Sequence, residues 1–168
     1  MTIRSIGALF GMLAVAALFQ PAEPAHATSW TINCKPNQTK VVTSSLFSST
    51  TSTTFVDIPE ATVQFVVGGT TPSCVIVRFS GESSSNENAS TVRPLLDVNT
   101  KALPAEIAFG GLDCSNGACT TRAHAFEFVF PRVTPGTHLL RMQYEAAFPP
   151  PKQPVYIGRH NTVVQYFR

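Results

Sequence analysis

Charge is scarce in this chain. Only 13% of residues are Asp, Glu, Lys or Arg, and the formal net charge is +2. The basic residues are scattered from Lys35 to Arg168 and form no stripe. That argues against an electrostatic nucleic-acid binder, which needs a concentrated basic face. Long apolar runs are also missing. The longest, Ala8–Phe19, spans about 12 residues, short of the roughly 20 that cross a bilayer as a helix. Downstream of it no segment of ten or more residues keeps an apolar period of 3.6, which excludes a helical core. No repeat of 20 to 50 residues is present, so a solenoid or propeller is excluded. There is no Gly-x-Ser-x-Gly nucleophile elbow, and Gly68-Gly69 is not followed by the Lys-Ser/Thr of a phosphate loop.

What is present begins with an export signal. Arg4 supplies a positive start, Ala8–Phe19 the apolar stretch, and Ala25-His26-Ala27 a small-x-small cleavage site. Pro21 and Pro24 break any helical continuation. Residues 1–27 therefore read as a cleaved secretory signal, 28–40 as an N-terminal segment and 41–168 as one domain. A domain of that size buries about two-thirds of its unfolded surface, enough for a core without metal. The expected location is secreted, periplasmic or otherwise extracellular, with no integral membrane segment after cleavage.

The four cysteines, Cys34, Cys74, Cys114 and Cys119, fit that compartment as disulfides. Three pairings exist in principle. Cys114 and Cys119 flank Ser115-Asn116-Gly117-Ala118, and Asn-Gly suits a tight turn between strands. A Cys114–Cys119 clamp is the simplest proposal, leaving Cys34–Cys74. Zinc needs short paired Cys/His spacings, which Cys-x4-Cys with His124 does not supply.

The residues point to an all-β fold. Phe, Val and Thr are frequent, and Thr and Val suit a pleated surface. Strands are expected at Val41–Phe47, Phe55–Ile58 (stopped by Pro59), Ala61–Val67, Cys74–Ser80, Val92–Val98, His124–Phe130, Thr137–Tyr144, Val155–Ile157 and Thr162–Phe167. Ser48–Thr54 reads as an exposed turn or edge, Leu103–Phe109 as a strand or crossover, and Gly81–Ser90 as a mobile loop without large hydrophobes. Phe65, Val77, Phe79, Phe126, Phe128, Leu140 and Met142 are the expected core. Turn signals every 8 to 12 residues imply an antiparallel two-sheet sandwich or a barrel.

Thr51-Ser52-Thr53-Thr54-Phe55-Val56-Asp57-Ile58-Pro59, the strand to Gly68-Gly69, and Val75-Ile76-Val77-Arg78-Phe79-Ser80-Gly81-Glu82 form one recognisable opening. Phe126–Phe130, then Pro135-Gly136-Thr137-His138-Leu139-Leu140-Arg141-Met142-Gln143-Tyr144, then a strand after Gly158-Arg159, form the matching end. Together these resemble bacterial and phage jelly-roll domains of the complement-globular-head and tumour-necrosis-factor-like group. The resemblance covers roughly Val41–Arg168. It implies a jelly roll rather than an immunoglobulin-like sandwich, a non-catalytic role and, in many members, trimers. The N-terminal segment, the Cys114/Cys119 pair and Pro149-Pro150-Pro151 depart from it.

No residue set selects a chemistry. His124, His138 and His160 lie on three different elements, without the close pairs of a metal site, so no catalytic, cofactor or metal residue is assigned. Asp57, Glu60, Asp97, Glu127 and Glu145 read as solvated carboxylates, although a glycosidase would need two of them about 5 to 10 Å apart. Asn37-Gln38-Thr39 and Asn88-Ala89-Ser90 match the glycosylation pattern. The candidate ligand or interface residues are Trp30, Tyr156, Val164 and Tyr166. On the last strand Val164 and Tyr166 share one face, and Val163, Gln165 and Phe167 the other. Only one face can serve the core, and the other is apolar enough to meet a second copy. The expected function is a secreted, non-enzymatic binding or structural module, self-associating with a trimer preferred. The alternatives are a carbohydrate-binding module using exposed aromatics and a hydrolase with an unrecognised carboxylate or His site.

Overall fold

The computed structural model describes residues 34–85, 88–109, 114–115, 118–119, 121–149 and 154–168. The expected signal segment, its cleavage site and Trp30 lie outside the described residues. Among the described residues every regular element is a strand: β1 (Gln38–Ser44), β2 (Ser48–Thr50), β3 (Val56–Val67), β4 (Ser73–Ser85), β5 (Ser90–Leu96), β6 (Thr100–Lys101), β7 (Ile107–Phe109), β8 (Cys114–Ser115), β9 (Ala118–Cys119), β10 (Arg122–Val133), β11 (Gly136–Ala146) and β12 (Val155–Tyr166). The protein is an all-β sandwich of two antiparallel sheets. The first runs β1-β12-β4-β10, with β2 also on β12. The second runs β3-β11-β5-β6, with β7 also on β5.

The pairing is nested. β1 pairs with β12, β3 with β11, β4 with β10 and β5 with β7. Successive pairs alternate between the sheets, so the chain enters and leaves each layer repeatedly and the core forms between them. Alternation along the strands fills it, because successive side chains in a strand point to opposite faces. On β3, Val63, Phe65 and Val67 are buried while Thr62, Gln64 and Val66 are exposed. On β11, His138, Leu140, Met142 and Tyr144 face inward. Phe65 of the second sheet meets Tyr166 of the first with ring centroids 5.0 Å apart, so one aromatic contact ties the layers together. Of the expected core, Phe126 alone is only partly buried, packed against the edge of the cluster.

Several strands differ from their sequence reading. β1 opens at Gln38, three residues before Val41, because Gln38 pairs with Tyr166. Pro59 does not end its strand: residues 58–61 of β3 bulge opposite Met142 of β11, with Glu60 at φ 56. A bulge accepts a proline because the ladder is already interrupted there. Gly81–Ser85 is strand rather than loop, since β12 pairs with it on one side and β10 with part of it on the other. The two short strands expected near the C-terminus are one, β12, with a bulge between Ile157 and His160. Pro94 sits inside β5. β7 and β6 cover β5 before and after it, leaving the proline without a strand on that edge.

Candidate functional site

Cys34 and Cys74 are disulfide-bonded, with Cα atoms 5.5 Å apart. The bond fixes the start of the described chain to the first residues of β4. In the β8–β9 ladder Cys114 stands directly opposite Cys119, the backbone placement that a turn-clamping bridge requires. Their side chains lie outside the described residues. Non-reduced peptide mapping is expected to recover Cys34–Cys74 and Cys114–Cys119 peptides; a cross-pairing such as Cys34–Cys119 would contradict this.

The final strand corrects part of the expected interface. Val164 and Tyr166 are buried in the core, Tyr166 against Phe65, so neither can line a contact between molecules. The strand's other face remains outside. Across the first sheet the register aligns Val41, Val163, Arg78 and Glu127 in one row. The adjacent row carries Gln165, Ile76 and Val129. Val41 is 58% exposed, and the rows hold one ion pair, Arg78 Nε to Glu127 Oε2 at 2.6 Å. Leu103, also exposed, exchanges backbone hydrogen bonds with Val129 at the far edge. These two rows make an apolar patch, Val41 exposed and Ile76, Val129 and Val163 partly buried, and the next row, Thr43, Asn161 and Ser80 with Ala125, is polar.

The outer face of the second sheet is different. Gln143 donates to Asp57 Oδ1 at 2.7 Å and accepts from Arg93 Nε at 3.0 Å, while Arg141 reaches both Asp57 and the Asp97 carbonyl. The Arg93 guanidinium lies 3.7 Å from the centre of the Phe55 ring, a cation–π contact. Apart from Arg141 Nε, which is buried without a hydrogen-bond partner, these groups bond to one another, so the network reads as structural.

His138 belongs to that network. Its Nδ1 lies 2.8 Å from Asp97 Oδ2 and its Nε2 2.8 Å from the Thr134 carbonyl, joining two turns. Burial disfavours the ionised Asp97 carboxyl, but the Leu139 amide and His138 outweigh it and hold the carboxyl below its usual range. A lowered carboxyl pKa contributes stability above the unfolded value that is lost as the pH falls through the folded value. Replacing Asp97 by Asn is therefore expected to cost stability at about pH 6 and progressively less towards about pH 2.5. Urea midpoints across that range check this; a penalty independent of pH would contradict it. At Glu145 the direction reverses, because burial first and Glu106 second push its carboxyl up.

His124 and His160 flank Gly81 in the first sheet, each paired with it in register. His124 stacks with Phe126 and packs on Phe109, with centroids 6.0 and 5.0 Å away. His160 is almost wholly buried, and its Nδ1 lies 2.9 Å from the Gly158 carbonyl. The Nε2 atoms of both rings are buried without a hydrogen-bond partner. His138 is elsewhere, so the three histidines do not converge. Among the described residues no three His, Cys, Asp or Glu side chains are placed to hold a metal.

Both rings border an open cleft of about 640 Å³. Ser44, Ser45, Glu60, Glu82 and Arg159 also line it. Glu60 sits there with its backbone in the left-handed region, and its Oε2 accepts from Ser44 Oγ at 2.8 Å. A non-glycine residue is held in that region only when its surroundings over-determine it. Glu60 and Glu82 are thus the two carboxylates that share a cleft, whereas Asp57, Asp97 and Glu127 have partners elsewhere.

Tyr156 is exposed on β12. The sequence reading missed its neighbour Phe47, which is 66% exposed. A Cβ added to Gly158 would come within 2.6 Å of the Phe47 ring, so glycine lets the ring lie flat on β12. The glycine two residues after Tyr156 was the available signal. Of the two glycosylation patterns, Asn37 is exposed. Asn88 is buried, and its amide exchanges hydrogen bonds with the Phe148 backbone, which closes it to modification in the folded protein.

No protein-family model matches the chain, and no curated protein matches it. Among solved structures it is similar to dimeric latent PorU from Porphyromonas gingivalis, with 12% identity and a TM-score of 0.44. The match covers 84% of this chain and 14% of that one. Among the described residues no helix is long and apolar enough to cross a membrane.

Proposed function

We propose that this chain is an exported, non-enzymatic jelly-roll module that works through its surface and associates with copies of itself. The nested pairing supports the jelly-roll reading: first strand with last, then inward, alternating sheets, is what a long hairpin gives when it rolls into a sandwich. An immunoglobulin-like arrangement would put β3, β4, β10 and β11 into different neighbours. Export is supported by the signal-like first 27 residues and by the Cys34–Cys74 bond.

The observation that carries self-association is the outer face of the first sheet. Val41 and Val163 are paired there, and Ile76 and Val129 are paired in the next row, around the Arg78–Glu127 ion pair. An exposed apolar patch rimmed by polar residues is a surface for burial by a partner. A closed symmetric assembly needs the same patch on each copy, which one sheet face supplies. The family resemblance favours a trimer.

Sedimentation velocity of the mature protein at micromolar concentration tests this. The wild type is expected to run as an oligomer, with a trimer as the preferred species, and Val163→Glu as a folded monomer. A wild-type monomer at every concentration would overturn the proposal and assign the cover of this face to the segment around Trp30, tethered through Cys34.

A further inference from the structure

We infer that His138 is a pH-sensitive clasp: with a proton on both ring nitrogens it ties the β5–β6 turn to the β10–β11 turn, and on losing one it releases the β10–β11 turn. The inference needs neither a ligand nor the proposed self-association.

The contacts fix the proton count. His138 Nδ1 lies 2.8 Å from Asp97 Oδ2, and Nε2 lies 2.8 Å from the Thr134 carbonyl oxygen. A carbonyl oxygen only accepts, and so does an ionised carboxylate. Each contact therefore needs its hydrogen from the ring, and two such contacts need an imidazolium. A neutral ring has one N–H and one lone pair. In either tautomer, one nitrogen would face an oxygen lone pair with no hydrogen between them. Asp97 is the fixed half of the pair. Its Oδ1 accepts from the Leu139 amide at 3.0 Å, and its carboxyl is held below the usual range, so it stays ionised at neutral pH.

Burial makes the count matter. The His138 side chain is only 9% exposed, and its ring packs on Phe65 of β3. Water has little room to replace a lost contact. The bond to Asp97 joins opposite charges and is about twice as strong as a bond between neutral groups. The proton that leaves is therefore the one on Nε2. The Asp97 contact persists, the Thr134 carbonyl loses this donor, and the β10–β11 turn is the side set free.

Few other charges bear on the ring. Asp97 comes from the β5–β6 turn, Thr134 from the β10–β11 turn and Phe65 from β3, and of these only Asp97 titrates. Arg141 of β11 reaches the Asp97 carbonyl at 3.3 Å and Asp57 at 3.5 Å, one contact removed from the ring. Tyr166 of β12 packs on Phe65. Histidine changes charge between about pH 5 and 8, so the clasp is closed at the acid end of that range and open at the alkaline end. Further acidification removes the Asp97 charge, which leaves the ion pair a window between the two.

The test follows the ¹⁵N-labelled mature protein by NMR from about pH 5 to 9, reading the His138 ring nitrogens and the backbone amides together. Both ring nitrogens are expected to carry protons at the acid end. Nε2 should lose its proton as the pH rises, and the Thr134 and Gly136 amides should move with the same midpoint. Asp97→Asn keeps the ring but removes the charge opposite it, so the second proton should leave at a pH about one unit lower. His138→Gln should abolish the shared midpoint at Thr134 and Gly136. Loss of the proton from Nδ1, Thr134 and Gly136 amides that ignore the ring's titration, or an unchanged midpoint in Asp97→Asn would overturn the inference.

Discussion

Replacing Phe65 by Ala is expected to destabilise the fold by about 3 to 5 kcal/mol, the range for truncating a fully buried phenylalanine. Phe65 has no exposed surface. Its ring is also the link between the sheets, lying 5.0 Å from Tyr166 of β12 and 5.8 Å from His138 of β11. Loss of the aromatic pair adds about 0.5 to 1.5 kcal/mol beyond area burial. The adjacent Val66 provides the control. It points to the opposite face and is 43% exposed, so Val66→Ala should stay within about 0.5 kcal/mol. Urea denaturation measures both. A drop in midpoint at unchanged slope is expected for Phe65→Ala alone. Equal effects at the two positions would contradict this inward–outward assignment, and a larger loss at Val66 would mean that the strand's faces are exchanged.

Removing the Cys34–Cys74 bond is expected to cost about 4 kcal/mol on a chain-entropy account, because the bond closes a loop with a sequence separation of 40. A paired Cys34→Ser, Cys74→Ser variant should therefore melt roughly 10 °C lower while remaining folded. It remains folded because the core is built from the sheets themselves, and β1 is held independently by seven register positions along β12. The short Cys114/Cys119 loop constrains the unfolded chain less, so its double serine variant should cost about 2 kcal/mol. Thermal melts of the two variants check the order. A larger loss from the Cys114/Cys119 pair would contradict the account, as would unfolding of the Cys34/Cys74 variant at room temperature.

The parts legible in the sequence were those where side-chain alternation and chain punctuation agreed. β11 is the clearest case: His138, Leu140, Met142 and Tyr144 alternate with Leu139, Arg141, Gln143 and Glu145, mostly polar, and Gly136 begins the strand at φ 144. The Ser-rich end of β4 was illegible because its side chains carry no pattern. It is strand because β10 and β12 supply backbone partners, and backbone hydrogen bonding does not depend on the side chain. β12 showed two usable faces, Val164 with Tyr166 and Val163 with Gln165, and alternation alone cannot say which is inside. The answer lies in Phe65, distant in sequence, whose ring needs Tyr166. The cleft was hidden for a similar reason. Ser44, Glu60, Gly81 and His160 come from four strands and meet only after the sheets pair. No short motif could announce them.

The central claim is that the outer face of the first sheet is covered by another copy. Hydroxyl-radical footprinting of the mature protein over a range of concentrations tests it residue by residue. Protection is expected to grow with concentration at Val41, Ile76 and Val163, and to stay flat at Val66, Val98 and Leu139, which are exposed outside that face. Val41, Ile76 and Val163 labelled equally at all concentrations, or protection confined to Val66, Val98 and Leu139, would contradict it.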